Sequence, residues 1–389
     1  MTAVRVSLAV CSIVGAACRG PSAPEPVSVG SPLAEITEAE RGRFLLGKAL
    51  FERNTAEEEG LGPLFNERRC SGCHDAPVIG GGGHALVLKA TRFVDGACDL
   101  LEGAGGDNIQ QRATPLLVAL GVTGESVPAD ATDSSRVTGP PLFGLGLVEA
   151  VPDAALLDHE DPEDVDGDGI SGRAVRHDGR VGRFGRKSEF ATLAGFVDTA
   201  LRFELGLTTP DHPVEETVNG TPIPASADPV PEPEIEQRGI DLLTEYIRFL
   251  APPPREDPAN AQTADSIARG EEVFDEVGCT GCHAPTLTTG ENLNPALANK
   301  FINLYSDLLL HDLGPGLADL CGPDASPSEH RTAPLWGLRF RDVYLHDGRT
   351  GQLGDAILMH GGEAERVREA FTALSDEDRA FLLRFLASL

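Results

Sequence analysis

The sequence predicts a mainly α-helical protein of two related modules with long loops, the first module enlarged by insertions. Three observations predict it. The pentapeptide Cys70-Ser71-Gly72-Cys73-His74 recurs as Cys279-Thr280-Gly281-Cys282-His283. Each copy follows a glycine with an aromatic residue four positions on, Gly47 to Phe51 in one case and Gly270 to Phe274 in the other. Each module then closes with an amphipathic stretch containing Arg-Phe-Leu-Ala, at 248–251 and 384–387. Self-similarity repeated in the same order is the mark of an internal duplication.

Residues 1–18 carry Arg5 and a short apolar run from Val6 to Ala17, too short to span a bilayer and suited to an export signal. Gly15-Ala16-Ala17-Cys18 resembles a lipoprotein cleavage site, which makes Cys18 the expected lipid-bearing residue; simple cleavage and release is the alternative. Residues 19–35, rich in Pro, Ser and Gly, read as a flexible tether. The first module is expected over 36–251. It opens with Thr37 and Glu40 spaced as a capping box, and Phe44, Leu45, Leu46, Leu50 and Phe51 supply an apolar face. Nineteen positions separate Phe51 from Cys70 and 5 separate Phe274 from Cys279, so the first module carries 14 extra residues there. Four glycines at 80–83 read as a flexible loop beside the motif. A further helix is expected within 187–205, on Phe190, Leu193, Ala194, Val197 and Leu201. Leu242, Leu243, Tyr246, Ile247 and Leu250 form one face of the closing helix before the Pro-rich linker 252–262. The second module, 263–389, ends on the matching face Phe381, Leu382, Phe385, Leu386 and Leu389.

Two cysteines three apart followed by histidine is the attachment pattern of c-type haem: the sulfurs bond the porphyrin and the histidine ligates iron from one side. Cys70, Cys73, Cys279 and Cys282 are the expected attachment points, with His74 and His283 as proximal ligands. A zinc half-site or a thiol redox pair is the competing reading of one such motif; two copies in matched settings favour two covalent haems. Cys98 and Cys321 remain, either as a pair or as separate thiols. Asp164, Asp166 and Asp168 alternate before Gly169, a spacing that suits Ca2+, although Val175 stands where a complete calcium-binding loop has Glu. An acidic solvated turn is the alternative. Only two methionines exist, Met1 and Met359, so methionine serves one iron at most. Met359 and His360 compete for the far side of the second haem; His84 is the nearest histidine for the first.

With 32 basic and 61 acidic residues the net charge is −29, which excludes nucleic acid as a natural partner and suits a basic redox protein. Aromatics make up 5% of the chain and Trp336 is the one tryptophan, so aliphatic residues and Phe must fill the core.

The stretches LGPLFNERRCSGCH, LGLVEAVPDA, DGDGISGR, GCTGCHAPTLTTG, LLLHDLGPGLAD, RTAPLWGL, YLHDGRT and HGGEA, in that order from about residue 40 to 389, resemble bacterial di-haem oxidoreductases. These are distant relatives of the di-haem cytochrome c peroxidases and also carry the label thiol oxidoreductase. The resemblance implies two cytochrome c-like domains with haems facing a shared interface, calcium between them, one haem relaying electrons and the other meeting peroxide. It implies His360, rather than Met359, as the distal ligand of the second haem, and Glu149 as an acid near the first. It also implies a tryptophan after Gly185, where this chain has Arg186, so an electron route between haems would pass elsewhere, with Trp336 as a candidate. The expected function is a periplasmic, peroxidase-like di-haem oxidoreductase fed by a small cytochrome or cupredoxin, attached to a membrane only through a lipid at Cys18. A non-catalytic di-haem electron carrier is the alternative. Thiol–disulfide exchange is disfavoured because haem consumes both cysteine pairs.

Overall fold

The computed structural model describes residues 28–389; the expected export signal and Cys18 lie outside the described residues, as does most of the expected tether. In chain order the α-helices are α1 Glu38–Glu52, α2 Pro115–Ala119, α3 Leu145–Glu149, α4 Asp153–Leu157, α5 Leu193–Leu205, α6 Gln237–Phe249, α7 Ala261–Val277, α8 Leu353–Leu358, α9 Glu365–Ala373 and α10 Asp376–Leu386. The architecture is therefore helical with small sheets between. No described helix is long and apolar enough to cross a membrane.

Helix α1 starts where its capping box requires. The Thr37 side chain accepts from Glu40 N, and the Glu40 carboxylate accepts from Thr37 N at 2.7 Å, satisfying two N–H groups that the first turn leaves without partners. Its buried face is Phe44, Gly47 and Phe51, whereas Leu45 and Leu46 are exposed, contrary to the expected face. At 100° per residue those two leucines turn away from the Phe44–Phe51 stripe.

Helix α1 packs on α6, and α7 packs on α10, in the same way. A Cβ at Gly47 would stand 2.1 Å from Leu242 O and 2.8 Å from Tyr246 Cβ; one at Gly270 would stand 2.0 Å from Phe381 O and 2.6 Å from Phe385 Cβ. Glycine lets the two backbones approach, and Phe51 against Tyr246 (5.1 Å between ring centroids) corresponds to Phe274 against Phe385 (5.4 Å). This equivalence matches Tyr246 with Phe385 and Leu242 with Phe381. The two Arg-Phe-Leu-Ala tetrapeptides lie three positions out of register with it, so the two helix crossings correspond but those tetrapeptides are not counterparts.

Helix α5 spans Leu193–Leu205, capped by Thr192, and buries Leu193, Val197, Leu201 and Leu205. The largest sheet is antiparallel, with strand Leu86–Val94 between Ala97–Asp99 and Asp133–Thr138. One hydrophobic cluster runs from Phe44, Leu193 and Tyr246 to Leu287, Ile302 and Leu309, so apolar packing crosses the 252–262 segment. A second gathers Ile267, Phe274, Tyr305, Phe371 and Phe385. A disulfide joins Cys98 to Cys321 across 223 residues, settling the open question about those two thiols.

Candidate functional site

Each pentapeptide folds as a single tight turn, Cys70–Gly72 and Cys279–Gly281. His74 N donates to Cys70 O at 3.2 Å and His283 N to Cys279 O at 2.9 Å, which sets cysteine and histidine one turn apart. The four cysteines are not in disulfides. Burial pushes the Cys70, Cys73 and Cys279 thiols up to about 12 and raises Cys282 as well. Thiols held protonated are poor nucleophiles, which counts against disulfide exchange at either motif.

The histidines carry the sharper signal. His74 Nδ1 lies 3.2 Å from Gly81 O, and His283 Nδ1 lies 2.9 Å from Tyr305 O. A carbonyl only accepts, so Nδ1 bears the hydrogen and Nε2 keeps its lone pair in both rings. Burial lowers both histidines, His283 to about 4, so they stay neutral and able to ligate a metal. A backbone carbonyl orienting the imidazole in this way is the usual support of a metal-ligating histidine. The residues present therefore fit haem iron. Phe51 lies 6.1 Å from the His74 ring and Phe274 lies 6.3 Å from that of His283, repeating the plan.

The glycine run 80–83 is a tight cradle rather than the flexible loop expected. A Cβ at Gly81 would lie 1.9 Å from Ala76 O and one at Gly83 2.2 Å from Cys73 O, while Gly82 O accepts from Asp75 and Ala76 N. The close fit is what delivers Gly81 O to His74.

His360 follows α8 and is half-buried, with Nδ1 2.8 Å from Ala356 O, again leaving Nε2 free. It stands near enough to His283 for charge on one to disfavour charge on the other. The neighbouring Met359 is 37% exposed. His84 turns to solvent, its side chain 61% exposed and 3.2 Å from Asp342.

Glu149, expected as an acid near the first motif, acts in this structure as a strut. Its Oε1 accepts from Leu193 N at 2.9 Å at the start of α5, and its Oε2 accepts from Arg248 Nε at 2.8 Å on α6. With both oxygens engaged it ties α3 to α5 and α6. Trp336 lies against Gly144, whose Cβ would stand 2.5 Å from the indole, so it bridges the two halves of the chain. Arg186 is half-buried and donates to Thr138 O.

The acidic loop brings Asp164 and Asp166 together with Asp161, not with Asp168. Asp168 Oδ1 accepts from Ile170 N at 2.8 Å, and Arg366 donates to its carbonyl at 2.6 Å. The three-carboxylate set is thus shifted one ligand upstream of the expected one. The positive φ of Asp164 (47°) and Gly167 (76°) folds the loop back on Asp161, a turn the alternating pattern does not reveal.

Sequence reasoning passed over His311. It is 2% exposed, with Nε2 2.8 Å from Asp307 Oδ2, Nδ1 2.9 Å from Glu363 Oε2, and Cys282 Sγ at 3.4 Å. Burial opposes its charge, but hydrogen bonds to Asp307, Cys282 and Glu363 outweigh that and raise it to about 12. Glu363 also accepts from Ser171 Oγ at 2.6 Å, linking the acidic loop to the second motif. The ordering LLLHDLGPG, a histidine and an aspartate inside an apolar run, was the available signal.

A family model described as di-haem oxidoreductase, putative peroxidase, matches residues 122–389. No curated protein matches the chain. Among solved structures, Kuenenia stuttgartiensis hydrazine synthase pressurised with xenon is 15% identical with a TM-score of 0.42, over 98% of this chain and 99% of that one. A MauG-like protein associated with microbial copper homeostasis is 15% identical with a TM-score of 0.40, over 95% and 94%. The diheme peroxidase BthA from Burkholderia thailandensis E264 is 16% identical with a TM-score of 0.38, over 93% and 89%.

Proposed function

Because the chain belongs to the di-haem oxidoreductase family, we propose that it is a periplasmic, peroxidase-like enzyme holding two covalent haems c in two cytochrome c-like domains, 36–251 and 263–389. Cys70 and Cys73 bind the first haem and Cys279 and Cys282 the second, with His74 and His283 as proximal ligands. The observation that carries this reading is the shared Nδ1-to-carbonyl support of the two histidines. Bound haem supplies one-electron redox chemistry and, where a ligand position is open, a site for peroxide.

The chain's own residues do the positioning. Gly81 O and Tyr305 O fix the tautomer of each proximal ring, and Ala356 O does the same for His360, which would supply a further ligand to the second haem and suit that haem to relaying electrons. Asp161, Asp164 and Asp166 are the oxygen donors for Ca2+. The electron donor is a small basic cytochrome or cupredoxin drawn by the acidic surface. Cys18 carries the lipid.

A second reading, a di-haem electron carrier without substrate chemistry, is favoured by one observation: Glu149, the expected acid, is locked between Leu193 and Arg248. Electron paramagnetic resonance of the holoprotein separates the two. One low-spin and one high-spin or labile haem supports the enzyme. Two low-spin haems that peroxide leaves unchanged, even after half-reduction, supports the carrier.

A further inference from the structure

Away from both motifs, Asp319, His330 and His346 converge where the second half of the chain meets the strand Asp133–Thr138 of the first. One ligand atom from each lies within 4.8 Å of the others. All three are withdrawn from solvent: His330 is 9% exposed, and the side chains of His346 and Asp319 are 10% and 11% exposed.

The cluster sets a second imidazole against a buried ion pair. His346 Nε2 and Asp319 Oδ2 are 2.8 Å apart and both atoms are buried. His330 Nε2 donates to Leu317 O at 2.9 Å, so Nδ1 is left with the lone pair. Its ring stacks on that of His346 with centroids 4.7 Å apart. An imidazole pinned through one nitrogen to a carbonyl, with the other nitrogen free beside a carboxylate, is the arrangement of a metal-ligating histidine and its support.

We propose that Asp319, His330 and His346 bind one zinc-class divalent ion, zinc or copper. Two imidazoles and one carboxylate suit those ions. Lys187 and Arg186 stand nearby, their side chains donating to backbone carbonyls at 326, 327 and 329 and at 138 respectively. Cations so close disfavour a hard ion held by charge alone and leave imidazole nitrogen as the source of affinity. The site fastens one seam of the molecule. Thr138 N donates to His346 O at 3.1 Å, and Cys321, two residues after Asp319, is the disulfide partner of Cys98. The ion would hold two loop segments and the strand Glu329–Arg331 to the sheet.

The test uses the full-length haem-loaded protein, washed with a chelator, dialysed against zinc and then against metal-free buffer. Elemental analysis should return one zinc for every two irons. His346→Gln and Asp319→Asn, at unchanged haem content and Soret spectrum, should lower zinc affinity at least 100-fold, and His346→Cys should restore most of it. Zinc-edge X-ray absorption of the unmutated protein should show two imidazole ligands, a readout that stands even where a variant fails to fold. Less than a fifth of an equivalent of zinc, zinc retained equally by both variants, or an all-oxygen shell would overturn the assignment. The haem signals are read separately, so failure here leaves the proposed enzyme untouched.

Discussion

Replacing His311 with leucine tests whether the buried cation beside the second motif is a structural keystone. The imidazole is 2% exposed and hydrogen-bonds two carboxylates, Asp307 at 2.8 Å and Glu363 at 2.9 Å. Leucine matches its volume but leaves those two acids facing each other without a counter-charge. Removing one member of a buried ion pair costs about 3–5 kcal/mol. The effect depends on pH in a definite direction. His311 is raised in the folded protein from 6.5 to about 12, so its contribution is complete below pH 6.5 and declines as pH climbs toward 12. Against burial, hydrogen bonds from His311 and Ser171 lower Glu363 to about 2, so its share is present above pH 4.5 and lost as pH falls through 2. Below about pH 4 the orphaned acids of the variant can take up protons, which should narrow its deficit; by pH 7 the deficit should be complete. Denaturant unfolding of both holoproteins at pH 4, 5.5, 7 and 8.5, followed by far-ultraviolet circular dichroism, measures it. A gap under about 1 kcal/mol at pH 7, or one that ignores pH, refutes the reasoning.

Three further outcomes are expected. His360→Ala should alter the absorption and paramagnetic spectrum of one haem while Met359→Leu leaves both unchanged; the reverse result moves the ligand to Met359. Gly270→Ala places a methyl 2.0 Å from Phe381 O and should separate α7 from α10 at a cost of roughly 1–3 kcal/mol or more, seen as a lower Tm, while Gly42→Ala, with open space around it, should not. Cys321→Ser opens a 223-residue loop and should lower stability by roughly 2–5 kcal/mol, visible as a difference in denaturant midpoint that a reductant abolishes.

What the sequence revealed was local. The Thr37–Glu40 cap, the two pentapeptides and the closing faces at Tyr246 and Phe385 could be read because their residues sit within a turn or two of one another. Similarity of letters was less reliable than similarity of contacts, as the Arg-Phe-Leu-Ala pair shows. The strand pair Leu86–Val94 and Ala97–Asp99 was legible and missed: Asp95-Gly96, both at positive φ, is a two-residue hairpin turn between apolar runs. The partners of His311 were not legible. Asp307 is four residues away but Glu363 is 52, and nothing local pairs them. The same holds for Cys98 with Cys321, and for Glu149, whose partner on α6 lies 99 residues on.

The bond between Cys98 and Cys321 also imposes a schedule on the protein's birth. The first sulfur leaves the ribosome 223 residues ahead of its mate, a lag of roughly 10–40 s at ordinary elongation speeds. During that interval its nearest competitors along the chain are Cys70 and Cys73. A disulfide formed early between Cys98 and either of them would take a sulfur out of the first pentapeptide turn. Pairing of Cys98 with Cys321 therefore requires that Cys70 and Cys73 stay out of disulfides until the later sulfur is at hand.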